Sequence, residues 1–197
     1  MYRCNYIVID NNTININSEG GQIIINGTGA AYGVQLTGPH SGVVVSNNII
    51  NTANNGPNLG IYSQNYDGST NINITGNTIN VTGWAGNHPW ALVSGMELQD
   101  DYAYVYGNDI TVNNLAGNST SLCAYGISYS QWTDYDHTYD VYNNTVRLYN
   151  GTYAVFFADT TVNSNIINNT LSTTYYSGDN AVSVDRTGDI NIVRDNT

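Results

Sequence analysis

The stretch Ile74-Thr75-Gly76-Asn77-Thr78-Ile79 is one of six versions of an asparagine-centred pattern that returns along the chain. The other five are Ile9-Asp-Asn-Asn12-Thr-Ile, Val45-Ser-Asn-Asn48-Ile-Ile, Val105-Tyr-Gly-Asn108-Asp-Ile, Val141-Tyr-Asn-Asn144-Thr-Val and Ile166-Ile-Asn-Asn169-Thr-Leu, and Asn196 begins a seventh. Asparagine tolerates left-handed backbone geometry, and its amide both donates and accepts hydrogen bonds. We therefore predict a structural ladder at a tight corner between strands, made of Asn12, Asn48, Asn77, Asn108, Asn144 and Asn169.

A second pattern alternates with the first along the chain. It consists of four consecutive positions, occupied by a small residue, an aliphatic residue, a variable residue and an apolar residue. Its copies are Gly33-Val-Gln-Leu, Gly60-Ile-Tyr-Ser, Gly95-Met-Glu-Leu, Gly126-Ile-Ser-Tyr, Ala154-Val-Phe-Phe and Ala181-Val-Ser-Val, spaced 27 to 35 residues apart. Short alternating segments such as Ile72-Asn-Ile74 indicate strands with one buried face. No segment longer than about ten residues has a helical period. Strands in register at this repeat length predict an all-β solenoid of parallel coils, in which each coil buries its inner face against its neighbours.

The two patterns resemble the parallel β-helix repeats of the pectate-lyase-like superfamily, and their Asn- and Thr-rich character is most similar to adhesin-like surface proteins of methanogenic archaea. The resemblance covers residues 7 to 197. It implies a single-stranded right-handed parallel β-helix of about six to seven coils. It also implies an extracellular, cell-surface location. The superfamily includes polysaccharide lyases, glycoside hydrolases and non-catalytic adhesins, so the resemblance is specific for fold and weak for activity.

Residues 1–197 read as one β-helix domain, because no shift in composition marks an internal boundary. Neither the strand-like Ile7-Val-Ile9 nor the segment 189–196 has the character of a cap. Uncapped coils expose strand edges that invite pairing with another chain. We therefore expect a segment of a longer surface protein, or a subunit that associates end to end.

Composition restricts the partners. Charged residues make up 10% of the chain, the formal net charge is −11, and four arginines with no lysine are its basic residues. Such a chain offers no basic stripe for phosphates, and no apolar run approaches membrane-spanning length, so we expect neither nucleic-acid binding nor membrane insertion. The sequon Asn-x-Ser/Thr, which secreted glycoproteins carry, occurs at Asn11, Asn26, Asn73, Asn80, Asn118, Asn143, Asn150 and Asn168.

The candidate binding surface comes from aligning the coils on the small residue. This places Gln35, Tyr62, Glu97, Ser128, Phe156 and Ser183 in one outward column, followed by turns rich in acids and aromatics. Aromatic faces beside carboxylates and amides suit a sugar. We therefore predict a non-catalytic glycan-binding flank. Its residues are Tyr62, Tyr66, Asp67, Glu97, Gln99, Asp100, Asp101, Tyr102, Gln131, Trp132, Asp134, Tyr135 and Asp136.

Three alternatives concern the same flank and the same coils. The chain could be a polysaccharide lyase or glycoside hydrolase, with Glu97, Asp100 and Asp101 supplying a carboxylate pair. The acidic turns could instead hold calcium, which takes oxygen ligands; the ligands would be Asp100, Asp101, Asp134 and Asp136. A third possibility is a structural spacer or self-assembling filament subunit without a ligand. We expect no other metal and no other cofactor.

Overall fold

The structure, a computed structural model, describes residues 4–18, 30–38, 40–64, 71–85, 92–99, 102–115, 124–129, 137–157, 163–174, 181–184 and 192–197. These residues form 21 β-strands, and every strand pairing among them is parallel. The prediction of an all-β chain of repeated parallel strands is therefore confirmed. The strands lie in three large sheets, here numbered in the order in which the chain enters them.

Each repeat passes once through sheet 1, sheet 2 and sheet 3. Sheet 1 contains Val8–Asp10, Val43–Ser46, Asn71–Thr75, Tyr102–Tyr106, Thr138–Tyr142, Asn165–Ile167 and Ile192–Arg194. Sheet 2 contains Thr13–Ser18, Ile49–Asn54, Thr78–Gly83, Asp109–Asn114, Thr145–Tyr149 and Thr170–Thr174. Sheet 3 contains Ala31–Thr37, Asn58–Gln64, Val93–Gln99, Ala124–Tyr129, Tyr153–Phe157 and Val182–Val184. A separate pair joins Cys4–Asn5 to His40–Ser41.

Within each of the three sheets, every strand pairs with its counterparts in the neighbouring repeats, and the two edge strands have one such partner each. This regular stacking is consistent with the predicted parallel β-helix. The register also aligns the column that the sequence proposed on sheet 3: Gln35 lies opposite Tyr62, Tyr62 opposite Glu97, and Glu97 opposite Ser128. The expected exposure of this column is wrong for Glu97 and Ser128, which are both buried.

The hydrophobic core runs between the three sheets and is built from alternate residues of each strand. In sheet 1, Ile72 and Ile74 are fully buried, and in sheet 2 Ile79 is. Within these strands the alternate residues Asn71, Asn73 and Asn80 face outward, as the period-two geometry of a strand requires. Burying each aliphatic side chain contributes roughly 1.5 to 3 kcal/mol, so the stacked inward columns supply the main stabilisation.

The corner between sheets 1 and 2 contains the asparagine ladder. The backbone N–H and the side-chain Nδ2 of each asparagine both donate to Oδ1 of the asparagine in the next coil, over 2.9 to 3.0 Å. The series runs through Asn12, Asn48, Asn77, Asn108, Asn144, Asn169 and Asn196. Each coil is thereby fixed to the next by side-chain as well as backbone hydrogen bonds.

The left-handed residue at this corner is not the one that the sequence suggested. Positive φ angles of 53° to 64° occur one position before the ladder asparagine, at Asn11, Asn47, Gly76, Gly107, Asn143 and Asn168. Two neighbouring residues therefore have different roles at the corner. The first adopts the left-handed conformation that turns the backbone, and the second, the ladder asparagine, donates its backbone N–H to the asparagine of the next coil. Of these six turning positions, four are asparagine and two are glycine, because both residues tolerate that conformation.

The small residue of the second pattern is required by close packing between sheets. A Cβ atom on Gly95 would lie 2.4 Å from Cγ2 of Ile110 and 2.6 Å from the carbonyl oxygen of Gly126. A Cβ atom on Gly60 would likewise lie 2.4 Å from Cγ2 of Ile79 and 2.6 Å from the carbonyl oxygen of Gly95. The repeated glycine therefore lets sheet 3 approach the aliphatic column of sheet 2 in the following coil.

Candidate functional site

The structure describes four of the thirteen residues predicted for the glycan-binding flank. Tyr62, Glu97 and Gln99 lie on sheet 3, and Tyr102 begins a strand of sheet 1. The other nine lie outside the described residues: Tyr66, Asp67, Asp100, Asp101, Gln131, Trp132, Asp134, Tyr135 and Asp136. The four described members of the predicted set therefore divide between two sheets.

A chain of hydrogen-bonded side chains extends across two coils of sheet 3. It consists of Tyr62, Gln64, Gln99 and Glu97. The Tyr62 hydroxyl donates to Gln64 Oε1 over 2.6 Å, and Gln64 Nε2 donates to Gln99 Oε1 over 2.6 Å. Gln99 Nε2 then donates to Glu97 Oε1 over 2.9 Å. Glu97 is only 5% exposed and Gln99 only 8%. Gln99 thus links two adjacent coils, and the burial of Glu97 and Gln99 leaves little surface for a ligand.

The lyase or hydrolase alternative places Glu97 beside Asp100 and Asp101. Both aspartates lie outside the described residues, as do the four proposed calcium ligands, Asp100, Asp101, Asp134 and Asp136. Burial, followed by the charge of Glu97, raises the pKa of Tyr32, so this carboxylate acts on a neighbouring phenol. Within the described ranges, no group of three or more His, Cys, Asp or Glu side chains could hold a metal ion.

A second polar and aromatic surface lies on the outer face of sheet 1. It consists of Tyr102, Tyr104, Tyr106 and Tyr142 around Asp140, and is called here the tyrosine patch. The three tyrosines of one strand alternate with buried Ala103 and Val105, so strand geometry directs all three rings outward. Register then places Tyr104 opposite Asp140 and Tyr106 opposite Tyr142 in the next coil.

The Asp140 carboxylate is the hydrogen-bonding centre of the patch. Its Oδ2 accepts from the Tyr102 hydroxyl over 2.8 Å. Its Oδ1 accepts from the Tyr142 hydroxyl over 3.3 Å and from Asn165 Nδ2 over 2.6 Å. Three donors from three successive coils therefore converge on one carboxylate, which fixes the positions of the two phenol rings.

The aromatic rings of the patch contact one another at defined angles. Tyr104 and Tyr106 are almost parallel, with an interplanar angle of 5° and ring centroids 6.0 Å apart. Tyr104 and Tyr142 are tilted by 46°, with centroids 6.1 Å apart. Tyr106 is 42% exposed. The surface thus offers aromatic area that is held in place by strand backbone on both sides.

Titration of the two phenols reflects the same contacts. Burial raises the pKa of Tyr102 to about 12, and the hydrogen bond to Asp140 and the charge of that carboxylate add to the rise. Burial and then the Asp140 charge also raise the pKa of Tyr142. Both hydroxyls therefore remain protonated at neutral pH. Since a carboxylate can only accept hydrogen bonds, each phenol donates its single hydrogen to Asp140, and the lone pairs of its oxygen remain as acceptors.

Sheet 2 presents a more polar outer face. Asn80 Nδ2 donates to Asn51 Oδ1, and Asn51 Nδ2 donates to Asn15 Oδ1, both over 2.8 Å. A shallow, open depression of about 590 Å³ lies further along this face, next to Tyr149 and Thr111. One exposed tyrosine among amides and hydroxyls offers less aromatic area than the tyrosine patch does.

The residues that sequence reasoning missed are Tyr104, Tyr106, Asp140, Tyr142 and Asn165. Their signal is present in the sequence, because Tyr106 and Tyr142 both stand two positions before a ladder asparagine. Aligning the coils on the asparagine as well as on the glycine would have placed Tyr104 opposite Asp140.

Comparisons with protein-family models, with curated proteins and with solved structures gave no match to this chain. The resemblance to adhesin-like surface proteins stays a prediction. In the part of the chain that the structure describes, no helix has the length and apolar character needed to cross a membrane.

Proposed function

We propose that this chain is a non-catalytic, adhesin-like module of an extracellular surface protein that binds glycans through the tyrosine patch of sheet 1. As part of the same proposal, the chain is a right-handed β-helix of about six to seven coils within a longer surface protein. Its stacked sheets would serve as a rigid support for the binding surface.

The observation that carries the proposal is the fixed arrangement of Tyr104, Tyr106 and Tyr142 beside Asp140. The C–H faces of a sugar ring pack on flat aromatic faces, while its hydroxyls need hydrogen-bonding partners at the side. Here the rings supply the faces, and the phenol oxygens of Tyr102 and Tyr142 supply acceptors. Because strand pairing and Asp140 already hold these groups, little conformational entropy is lost when a ligand binds.

A glycan-array screen followed by titration calorimetry tests this proposal. Tyr104→Ala should weaken binding of any captured glycan by about tenfold or more, equivalent to roughly 1.4 kcal/mol, because it removes the central ring. Tyr149→Ala is the control, since Tyr149 is an exposed strand tyrosine that lies on sheet 2, away from the half-buried Tyr104 on sheet 1. It should bind like the unaltered chain.

Two outcomes would contradict the proposal. One is the absence of binding to any glycan on the array. The other is equal affinity of Tyr104→Ala and Tyr149→Ala for a captured glycan. A Trp132→Ala variant, measured alongside them, separates the tyrosine patch from the turn predicted from sequence. Loss of binding in Trp132→Ala alone would assign the site to that turn.

A further inference from the structure

We propose that the tyrosine patch selects amino sugars, glycans whose rings carry protonated amino groups, over neutral glycans and over uronic acids. This inference rests on the proposed function, because it names the ligand class of the same surface. It follows from the hydrogen-bonding capacity of Asp140, from the orientation of the neighbouring phenols and from the charges around the patch.

The Asp140 carboxylate has capacity for one more donor. A carboxylate offers about four lone-pair sites on its two oxygens. Oδ1 accepts two hydrogen bonds, from Tyr142 and Asn165, whereas Oδ2 accepts one, from Tyr102. The remaining site on Oδ2 suits a ligand N–H, and an ammonium group is the strongest such donor because its hydrogen bond to a carboxylate is charge-assisted.

The groups beside Asp140 favour the same ligand. The Tyr102 and Tyr142 hydroxyls both donate to the carboxylate, so their oxygens remain as acceptors on either side of it. An ammonium carries three donors and no acceptor, which complements this set. A ligand carboxylate carries only acceptors and would face lone pairs and a like charge. The hydrogen-bonding pattern therefore excludes uronic acids and accepts amino sugars.

Charge and aromatic contacts on balance act in the same direction. The charge of Arg194, which lies in the register column of Tyr142, partly offsets the rise in the pKa of that phenol and opposes a bound cation. Among the described residues, however, Arg147 pairs with Asp109 and Arg194 with Asp195, and neither arginine forms an ion pair with Asp140. The formal net charge of −11 also favours the approach of a cation. The Tyr104 ring, opposite Asp140 in the register, adds a face that attracts cations.

The test compares three oligosaccharides of equal length: glucosamine, N-acetylglucosamine and galacturonic acid oligomers. Calorimetry at pH 6 and low salt should give roughly tenfold tighter binding of the glucosamine oligomer than of its acetylated form. A ratio of this size is what an exposed ion pair and a cation–π contact together contribute to affinity. Binding of the galacturonic acid oligomer should not be measurable. Added salt should reduce the preference for the amino sugar.

Asp140→Asn is the decisive variant, and Asp109→Asn is its control. Both changes raise the net charge by one unit, but Asp109 lies on sheet 2 and pairs with Arg147. Asp140→Asn should abolish the preference for glucosamine while retaining binding of the neutral oligomer, and Asp109→Asn should keep that preference. Circular dichroism and melting of each variant check that it folds. If Asp140→Asn does not fold, the salt dependence and the three-ligand comparison on the unaltered chain still decide the question.

Several results would overturn this inference. They are equal or weaker binding of glucosamine relative to N-acetylglucosamine, tight binding of galacturonic acid, or equal loss of the preference in Asp140→Asn and Asp109→Asn. In each case a Tyr104-dependent interaction with a glycan would leave the proposed function intact. Failure of all three oligomers and of the glycan array would instead remove the proposed function itself.

Discussion

Replacing Asn108 by alanine tests the role of the asparagine ladder at its centre. Asn108 is 2% exposed. Its Oδ1 accepts from the backbone N–H and from Nδ2 of Asn77, both over 2.9 Å. Its Nδ2 donates to the Ile74 carbonyl, to the Tyr106 carbonyl and to Asn144 Oδ1 over 2.9 to 3.2 Å. Alanine removes all of these contacts and leaves their buried partners without Asn108.

The expected cost follows from the number of groups affected. A buried hydrogen bond contributes about 1 kcal/mol, and an unsatisfied buried partner costs about 1–3 kcal/mol. Because such contributions are not additive, we expect Asn108→Ala to lower the free energy of unfolding by about 3–5 kcal/mol. For a chain of this size that corresponds to a Tm lower by roughly 6 to 20 °C.

The assay is thermal and urea unfolding followed by circular dichroism, with Asn12→Ala as the control. Asn12 is exposed, and alanine removes from it the hydrogen bonds of Nδ2 to the Asp10 carbonyl and to Asn48 Oδ1. We expect a loss of about 1 kcal/mol there. Equal transition midpoints for Asn108→Ala and Asn12→Ala would refute the reasoning, because burial would then add nothing to the ladder hydrogen bonds.

Two further predictions concern the packing of sheet 3 and the titration of the patch. Gly95→Ala should destabilise the fold by about 1–3 kcal/mol in urea unfolding, because the added Cβ would overlap Ile110 and a backbone carbonyl. Gly107→Asn should change the stability by less than about 0.5 kcal/mol, because Asn143 adopts the same left-handed turn in the next coil. A larger loss of stability in Gly107→Asn than in Gly95→Ala would contradict the packing argument. The pKa of Tyr102 is raised from 10.0 to about 12, so the folded chain keeps the phenol proton up to a higher pH than the unfolded chain does. The stability that the protonated Tyr102 contributes is therefore complete below about pH 10 and is lost as the pH rises towards 12. Phenolate absorbance of Tyr102→Phe should lack one of the late-titrating tyrosines of the unaltered chain, and an unchanged titration curve in that variant would disprove the assignment.

The fold could be predicted from sequence because both repeated patterns carry their own physical reason. The asparagine of one pattern needs a partner in the next coil, and the glycine of the other permits close approach of two sheets. Their regular alternation without helical segments leaves stacked parallel strands as the way to bury Ile72, Ile74 and Ile79. The sequence analysis assigned the left-handed conformation to the ladder asparagine, although Gly76 and Gly107, one position earlier, were a signal that the preceding residue adopts it.

The candidate site was less predictable, because a binding surface depends on which side chains of different coils become neighbours. The sequence pointed to aromatic and acidic residues together, and Tyr102 belongs to both the predicted flank and the tyrosine patch. Alignment on the glycine alone, however, set only the register of sheet 3. The register of sheet 1 brings Tyr104 and Asp140 together across 36 residues of chain.

By itself, the sequence determined the class of fold, the members of the ladder and the residues that face the core, since periodicity and side-chain chemistry are local properties of each repeat. The tertiary structure decided that Glu97 and Gln99 are buried in a hydrogen-bonded chain while Asp140 gathers three donors on another sheet. The physical reason is that the exposure and the partners of an outward side chain are set by the coils above and below it. Repeat spacing does not specify those neighbours.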